Sequence, residues 1–373
     1  MSALEGPTLH VRGHVIVGDD REVGDLWVKD ARRPPPRPPA LAPHAAARQG
    51  AALPGRGDVH CHVGLGAQGA VDATTAQEQA LTDRDSGVLL VRDAGSPLDT
   101  RWVHGRRDLP RLVRAGRHLA RPKRYLRHYG LELDDVAQLP EAVRREARQG
   151  DGWVKIVGDW IDRDLGAQGD LRPLWPDDVL AEAVAAAHAE AARVTVHAFS
   201  DEVIPSLLAA GVDGIEHGTG IHPDLMYEIS ERGVAVTPTL LQIGQFENIA
   251  RQADARYPVF AARMRRLHER RYEQARALYE SGIQILVGTD AGGTIGHGRL
   301  ADECAELVAA GIPDAAVVAA ASWQGREYLG YTSLVEGASA DFVVYPQDPR
   351  KDVGVLRAPT AVVLRGEIVA PAA

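Results

Sequence analysis

Apolar and polar positions alternate at both ends of the chain, while the long middle reads as short apolar runs separated by stretches with helical spacing. The alternation in LHVRGHVIVGD and GDLWVKD, within 8–30, and in DFVVYPQD and TAVVLRGEIVA, within 341–370, predicts short half-buried strands. These ends are expected to meet as one small β-sandwich built from residues 1–56 and 331–373. Between them, over 57–330, apolar runs and helical patterns take turns, which predicts repeated βα units on a parallel sheet.

Eight strands fit that span: 58–63, 88–93, a weak one near Arg117–Ala120, 153–158, 193–198, 214–218, 234–240 and 283–288. The fold class expected is therefore α/β, a (β/α)8 TIM-type barrel carrying the small sandwich. Pro176 with Asp177 and Asp178, Pro223 with Asp224, and Pro313 with Asp314 mark helix starts. An Arg-rich helix over about 248–281 is expected between the last two strands, where a barrel can carry an insertion that shapes its pocket. The stretch 31–50, with its prolines concentrated at 33–39, reads as a stiff polyproline-like loop and a candidate contact for a proline-reading partner.

A formal charge of −9 argues against nucleic acid as the main partner, since phosphate binding rests on clustered positive charge. Two cysteines, Cys61 and Cys304, make no disulfide framework and suggest a reducing compartment. No run reaches the roughly 20 apolar residues that span a bilayer, and no signal peptide stands at the start; a cytoplasmic protein without a membrane partner is expected. The basic residues are 38 Arg and 4 Lys, so each lysine draws inspection.

In a parallel barrel the chemistry sits at the C-terminal ends of the strands. His60 and His62 lie two apart in DVHCHV, so both imidazoles point the same way while Cys61 points outward. His197 closes VTVHA, His217 closes IEHG, and Asp290 follows ILVGT. Each alone is an ordinary polar residue more often than a ligand, but five such groups on one rim point to metal. Lys155, amid apolar β-formers in WVKIV, must be salt-bridged or have a shifted pKa. A desolvated, neutral amine there would react with carbon dioxide, and the resulting carbamate suits the bridging of two divalent ions.

On these residues, and on LPGRGDVHCHVGLG, VGTDAGG and VEGASADFVVYPQDP, the chain resembles the amidohydrolase superfamily over nearly its whole length. The intervals from Lys155 to His197, His217 and Asp290 resemble the imidazolonepropionase-like and prolidase-like branch with a carboxylated lysine. The resemblance implies His60, His62 and Asp290 on one metal, His197 and His217 on a second, and carboxylated Lys155 between them, with zinc as the default ion. It implies Asp290 as general acid/base, and cleavage of an amide bond in a small N-acyl amino acid, dipeptide or cyclic amide. Lactone or phosphotriester hydrolysis is the alternative at the same site, and a non-catalytic scaffold the alternative from another class. A homo-oligomer is compatible with the resemblance. Two departures bear on it: Arg56 and Gly57 replace apolar residues before the first strand, and Phe199 stands where peptidase-like relatives place a tyrosine. The basic segment 116–130 is expected to form a lip that reads a substrate carboxylate, with His118, Arg121 and Tyr125 as substrate-binding residues. His297 is expected to approach the pocket; His104, His188, His222 and His268 are expected to be ordinary helix or loop residues.

Overall fold

The computed structural model describes residues 9–28 and 46–371. The proline-rich stretch 33–39 lies outside the described residues. Six parallel strands follow one another in the order Leu131–Glu132, Leu119–Ala120, Trp153–Val157, Arg193–Ala198, Gly214–His217 and Ala235–Thr237. Three more, Arg56–Cys61, Val88–Asp93 and Arg111–Arg114, form a second parallel sheet. The segment 284–291 joins the two: Val236 and Gln284, Leu286 and Val236, Val59 and Val287, and Asp290 and His60 exchange backbone hydrogen bonds of 2.7–3.0 Å. The near-continuous burial of these strands is what a parallel sheet covered on both faces requires.

The third strand is not a single run near Arg117–Ala120: Arg111–Arg114 pairs with Val88–Asp93, and Leu119–Ala120 pairs beyond it with Ile156. Gly116, at φ 71°, turns the chain between the two pieces. The Arg-rich helix is likewise three helices, Phe246–Ala253, Pro258–Glu269 and Arg271–Glu280. Pro258 cannot continue the preceding helix and holds Tyr257 at φ −136°, outside the helical region. By contrast Asp177–Ala189 forms as expected, with both acids in its first turn and Leu180, Ala183, Val184 and Ala187 buried along one stripe.

Both chain ends share one six-stranded sheet, ordered Glu367–Pro371, Ala361–Leu364, Phe342–Tyr345, Ala46–Pro54, Leu9–Gly18 and Arg21–Val28. Alternation assigns its faces. Ile16, Leu53, Val343, Tyr345 and Val362 join the main core, while Val11, Val15, Val17, Phe342 and Val344 build a smaller cluster on the other side. Ala46–Pro54 overturns the polyproline reading of 46–50. It pairs parallel with Leu9–Gly18 and antiparallel with Phe342–Tyr345. A segment this rich in alanine has little β-propensity, and its neighbours supply the order. Gly50 makes this possible: at φ 150°, a Cβ there would lie 2.1 Å from the Tyr345 carbonyl oxygen. The first strand starts at Arg56, whose guanidinium is buried and donates to the Ser86 carbonyl.

Candidate active site

The strand ends bring six sequence-predicted residues to one side of the parallel sheets. His60 on the first strand and His62 just past its end both face inward, their Nε2 atoms 3.2 and 3.0 Å from Asp290 Oδ1. The close approach of the last segment depends on Gly288, where a Cβ would sit 2.6 Å from that of His60. His217 and Asp290 adopt φ of 70° and 58°, a left-handed backbone uncommon outside glycine that turns both side chains where their strands stop. His60, His217 and Asp290 each offer an atom within 4.8 Å of the others, and the His197 and His217 rings are 4.7 Å apart. Cys61 points away, as expected, toward Asp83 on the helix Ala73–Asp85.

The electrostatics are unusual for a finished core. Lys155 is 1% exposed, and its Nζ has no hydrogen-bond partner; neither ring nitrogen of His197 has one. Burial pulls the Lys155 ammonium down to about 8, against the opposing carboxylates of Glu216 and Asp290. Burial also lowers His217 to about 3 and holds His197 well below the ordinary histidine range, so both imidazoles are neutral with free lone pairs. At Asp290 burial would raise the pKa, but the His60 and His62 rings outweigh it and keep the carboxyl ionised. The two neutral imidazoles of His197 and His217, an ionised carboxylate and a readily neutralised amine are a donor set for divalent cations.

Sequence reasoning missed the residues that hold these groups. Glu216 Oε2 lies 2.7 Å from His60 Nδ1, and the same carboxylate accepts from Arg92 and Thr195. The Gly95 carbonyl is 2.7 Å from His62 Nδ1, and Thr239 Oγ1 is 2.6 Å from His217 Nδ1. Such partners fix the tautomer, leaving Nε2 of His60 and His62 toward Asp290. The signal for Glu216 was present: a charge inside the apolar strand GIEHG invites the argument applied to Lys155.

A cavity of about 500 Å³ opens over the cluster. His62, His197, His217 and Asp290 form its floor, beneath walls that include Tyr125, Trp160, Phe199, Ile249 and Phe260. Of the three expected substrate residues, only Tyr125 lines it. His118 is buried in edge contact with Tyr125, ring centroids 4.9 Å apart. Arg121 turns to the Asp134 carbonyl and lines a neighbouring groove with Lys123 and Arg124. The segment 116–130 therefore lends the cavity Tyr125, Leu126 and Tyr129 but not its cations: Arg121 turns to the Asp134 carbonyl and Arg124 to Asp162 and Asp164. His297 does not reach the cavity either, since Asp83 Oδ2 holds its Nδ1 at 2.8 Å. His104, His188, His222 and His268 lie elsewhere, bonded to Asp151, Asp213, the start of the helix Pro223–Glu231 and the Ile243 carbonyl.

The sequence profile of the amidohydrolase family matches residues 51–369. The chain belongs to the amidohydrolase family. This amidohydrolase is 49% identical over 363 residues to the uncharacterized protein Rv2915c of Mycobacterium tuberculosis, covering 97% of this chain and 96% of that one. The uncharacterized protein Mb2939c of Mycobacterium bovis matches to the same extent. Among solved structures, a Xaa-Pro dipeptidase with bound methionine superposes with a TM-score of 0.81 at 21% identity, covering 97% of this chain and 99% of that one. The ochratoxinase of A. niger superposes at 0.80 with 18% identity, covering 98% and 96%. The amidohydrolase thus has the fold of these enzymes, and its family makes it a hydrolase. No described helix is long and apolar enough to cross a membrane.

Proposed function

We propose that this amidohydrolase hydrolyses an amide bond of a small molecule at a binuclear divalent-metal site. The parallel strands are read as a closed (β/α)8 barrel over 57–330, with residues 1–56 and 331–373 as the small β domain. The observation that carries the proposal is the convergence of His60, His62, Lys155, His197, His217 and Asp290, with buried nitrogens left without partners. Orphaned buried donors and acceptors are costly, and cations would satisfy them. His60, His62 and Asp290 would hold one ion and His197 and His217 the other, with Lys155, as its carbamate, bridging them. Zinc suits the imidazole-rich set. When bound, the ions supply Lewis acidity, which acidifies a water and polarises the amide carbonyl.

The remaining work falls to the chain. Asp290 Oδ1 faces His60 and His62, leaving Oδ2 to take the proton of the attacking water and deliver it to the departing nitrogen. Glu216 and Thr239 keep the His60 and His217 rings turned toward the site. The aromatic walls exclude bulk water and position the amide over the floor.

Elemental analysis of protein purified without chelator in bicarbonate buffer tests the reading. About two ions per chain are expected, falling sharply in Lys155→Ala. One ion per chain, unaffected by the substitution, would sink the bridged site.

A further inference from the structure

The cavity has one permanent cation in its wall, and that cation is not from the basic segment. Among the described residues lining it, Arg163 is the sole arginine or lysine and Asp290 the sole carboxylate. Arg163 opens the short helical turn Arg163–Gln168 that connects the paired strands Asp159–Ile161 and Leu171–Pro173, which come after Trp153–Val157. Its Nη1 donates to the Lys123 carbonyl at 3.0 Å, and no described carboxylate pairs with it. Neighbouring Arg124 is neutralised by Asp162 and Asp164, both within 2.8 Å. Arg256, also nearby, lies over the ring of Tyr257, another wall residue. An unpaired guanidinium fork at a cavity wall is suited to a planar carboxylate.

Most of the remaining wall has the opposite character, with the amide side chains of Gln242, Gln245, Asn248 and Gln252 as a polar strip along one side. Phe199 lies 4.2 Å from His197 and 4.7 Å from His217 between ring centroids, so the wall beside the chemistry is apolar. Tyr125, Trp160, Ile249, Phe260 and Met264 extend it, and Leu126 at the mouth is 43% exposed. A space of about 500 Å³ with such walls exceeds what a small polar amide would fill.

We infer that Arg163 anchors a substrate carboxylate, and that the substrate is an amide bearing that carboxylate together with a bulky aromatic or branched apolar group. The inference rests on the amide-hydrolase reading for the bond that is cut, and on the cavity alone for what is bound. Its test separates the two. Calorimetric titration of the metal-loaded, full-length protein is made with N-benzoyl-phenylalanine, its primary carboxamide and N-acetylglycine, and repeated with Arg163→Ala and Arg163→Lys.

The wild type is expected to bind the acid at least about tenfold more tightly than the carboxamide, and than N-acetylglycine. Arg163→Ala should abolish the preference for acid over carboxamide while leaving carboxamide affinity within about twofold, and Arg163→Lys should restore part of it. An acid preference missing from the wild type, or surviving in Arg163→Ala, overturns the anchor. N-acetylglycine binding as tightly as the benzoyl acid overturns the bulky group. Arg163-dependent binding without metal-dependent hydrolysis would leave the anchor standing and remove the amide-hydrolase reading.

Discussion

Glu216 shows how much of the site is carried by a side chain that never faces the cavity. It sits between the His60 imidazole and the Arg92 guanidinium, all buried to within about 1%. Glu216→Gln keeps the shape and removes the charge that orients His60. Metal affinity is expected to fall about 10- to 100-fold in a chelator competition. Leaving Arg92 buried and unpaired should also cost about 3 kcal/mol in denaturant unfolding. Unchanged metal affinity with that stability loss would reduce Glu216 to a structural partner of Arg92. The ligand candidates were legible in the sequence because histidines and an aspartate recur where apolar runs stop. Glu216, Arg92 and Thr239 were not singled out, because strand alternation does not tell which polar residues converge across different strands.

At the scale of elements, the helices announced by a proline and an acid formed where expected, since those signals act within one turn. The split third strand and the strand Ala46–Pro54 were hidden because their partners are distant in sequence and their own residues lack β-branched patterning. Gly50→Ala is expected to lower stability by about 2–4 kcal/mol in denaturant unfolding, because a Cβ cannot fit against the Tyr345 carbonyl. A second element-scale prediction concerns Glu303, on the helix Leu300–Ala309, which accepts from the Leu240 and Leu241 amides at 2.7 and 2.8 Å. Burial outweighs those donors and pushes its carboxyl up to about 8. A folded pKa above the unfolded one means that the native state holds the proton more tightly. This contribution is therefore complete below about pH 4.5 and lost as pH rises through about 8. Glu303→Gln should flatten the decline of Tm across that interval; a slope equal to wild type would show that another group sets it.

For the whole molecule, ion binding and folding should be linked, because the candidate ligands come from the first strand, the middle strands and the last segment. Exhaustive chelation is expected to lower Tm and re-addition of zinc to restore it, measured by calorimetry. A Tm indifferent to both would mean that the cluster is preformed by packing alone.

The sheet that unites the chain ends also sets a timetable. The strand Leu9–Gly18 borders Ala46–Pro54, but that strand's other edge stays open until Phe342–Tyr345 exists, roughly 300 residues later, at the 5–20 residues per second of synthesis. For tens of seconds, on the order of a minute at the slow end, a nascent chain carries an unpaired β edge. His60 likewise waits for Asp290, the partner whose amide bonds to its carbonyl. The emerging polypeptide thus presents that edge to its neighbours until Phe342–Tyr345 follows, and its candidate ligand floor is complete only once Asp290 has been made.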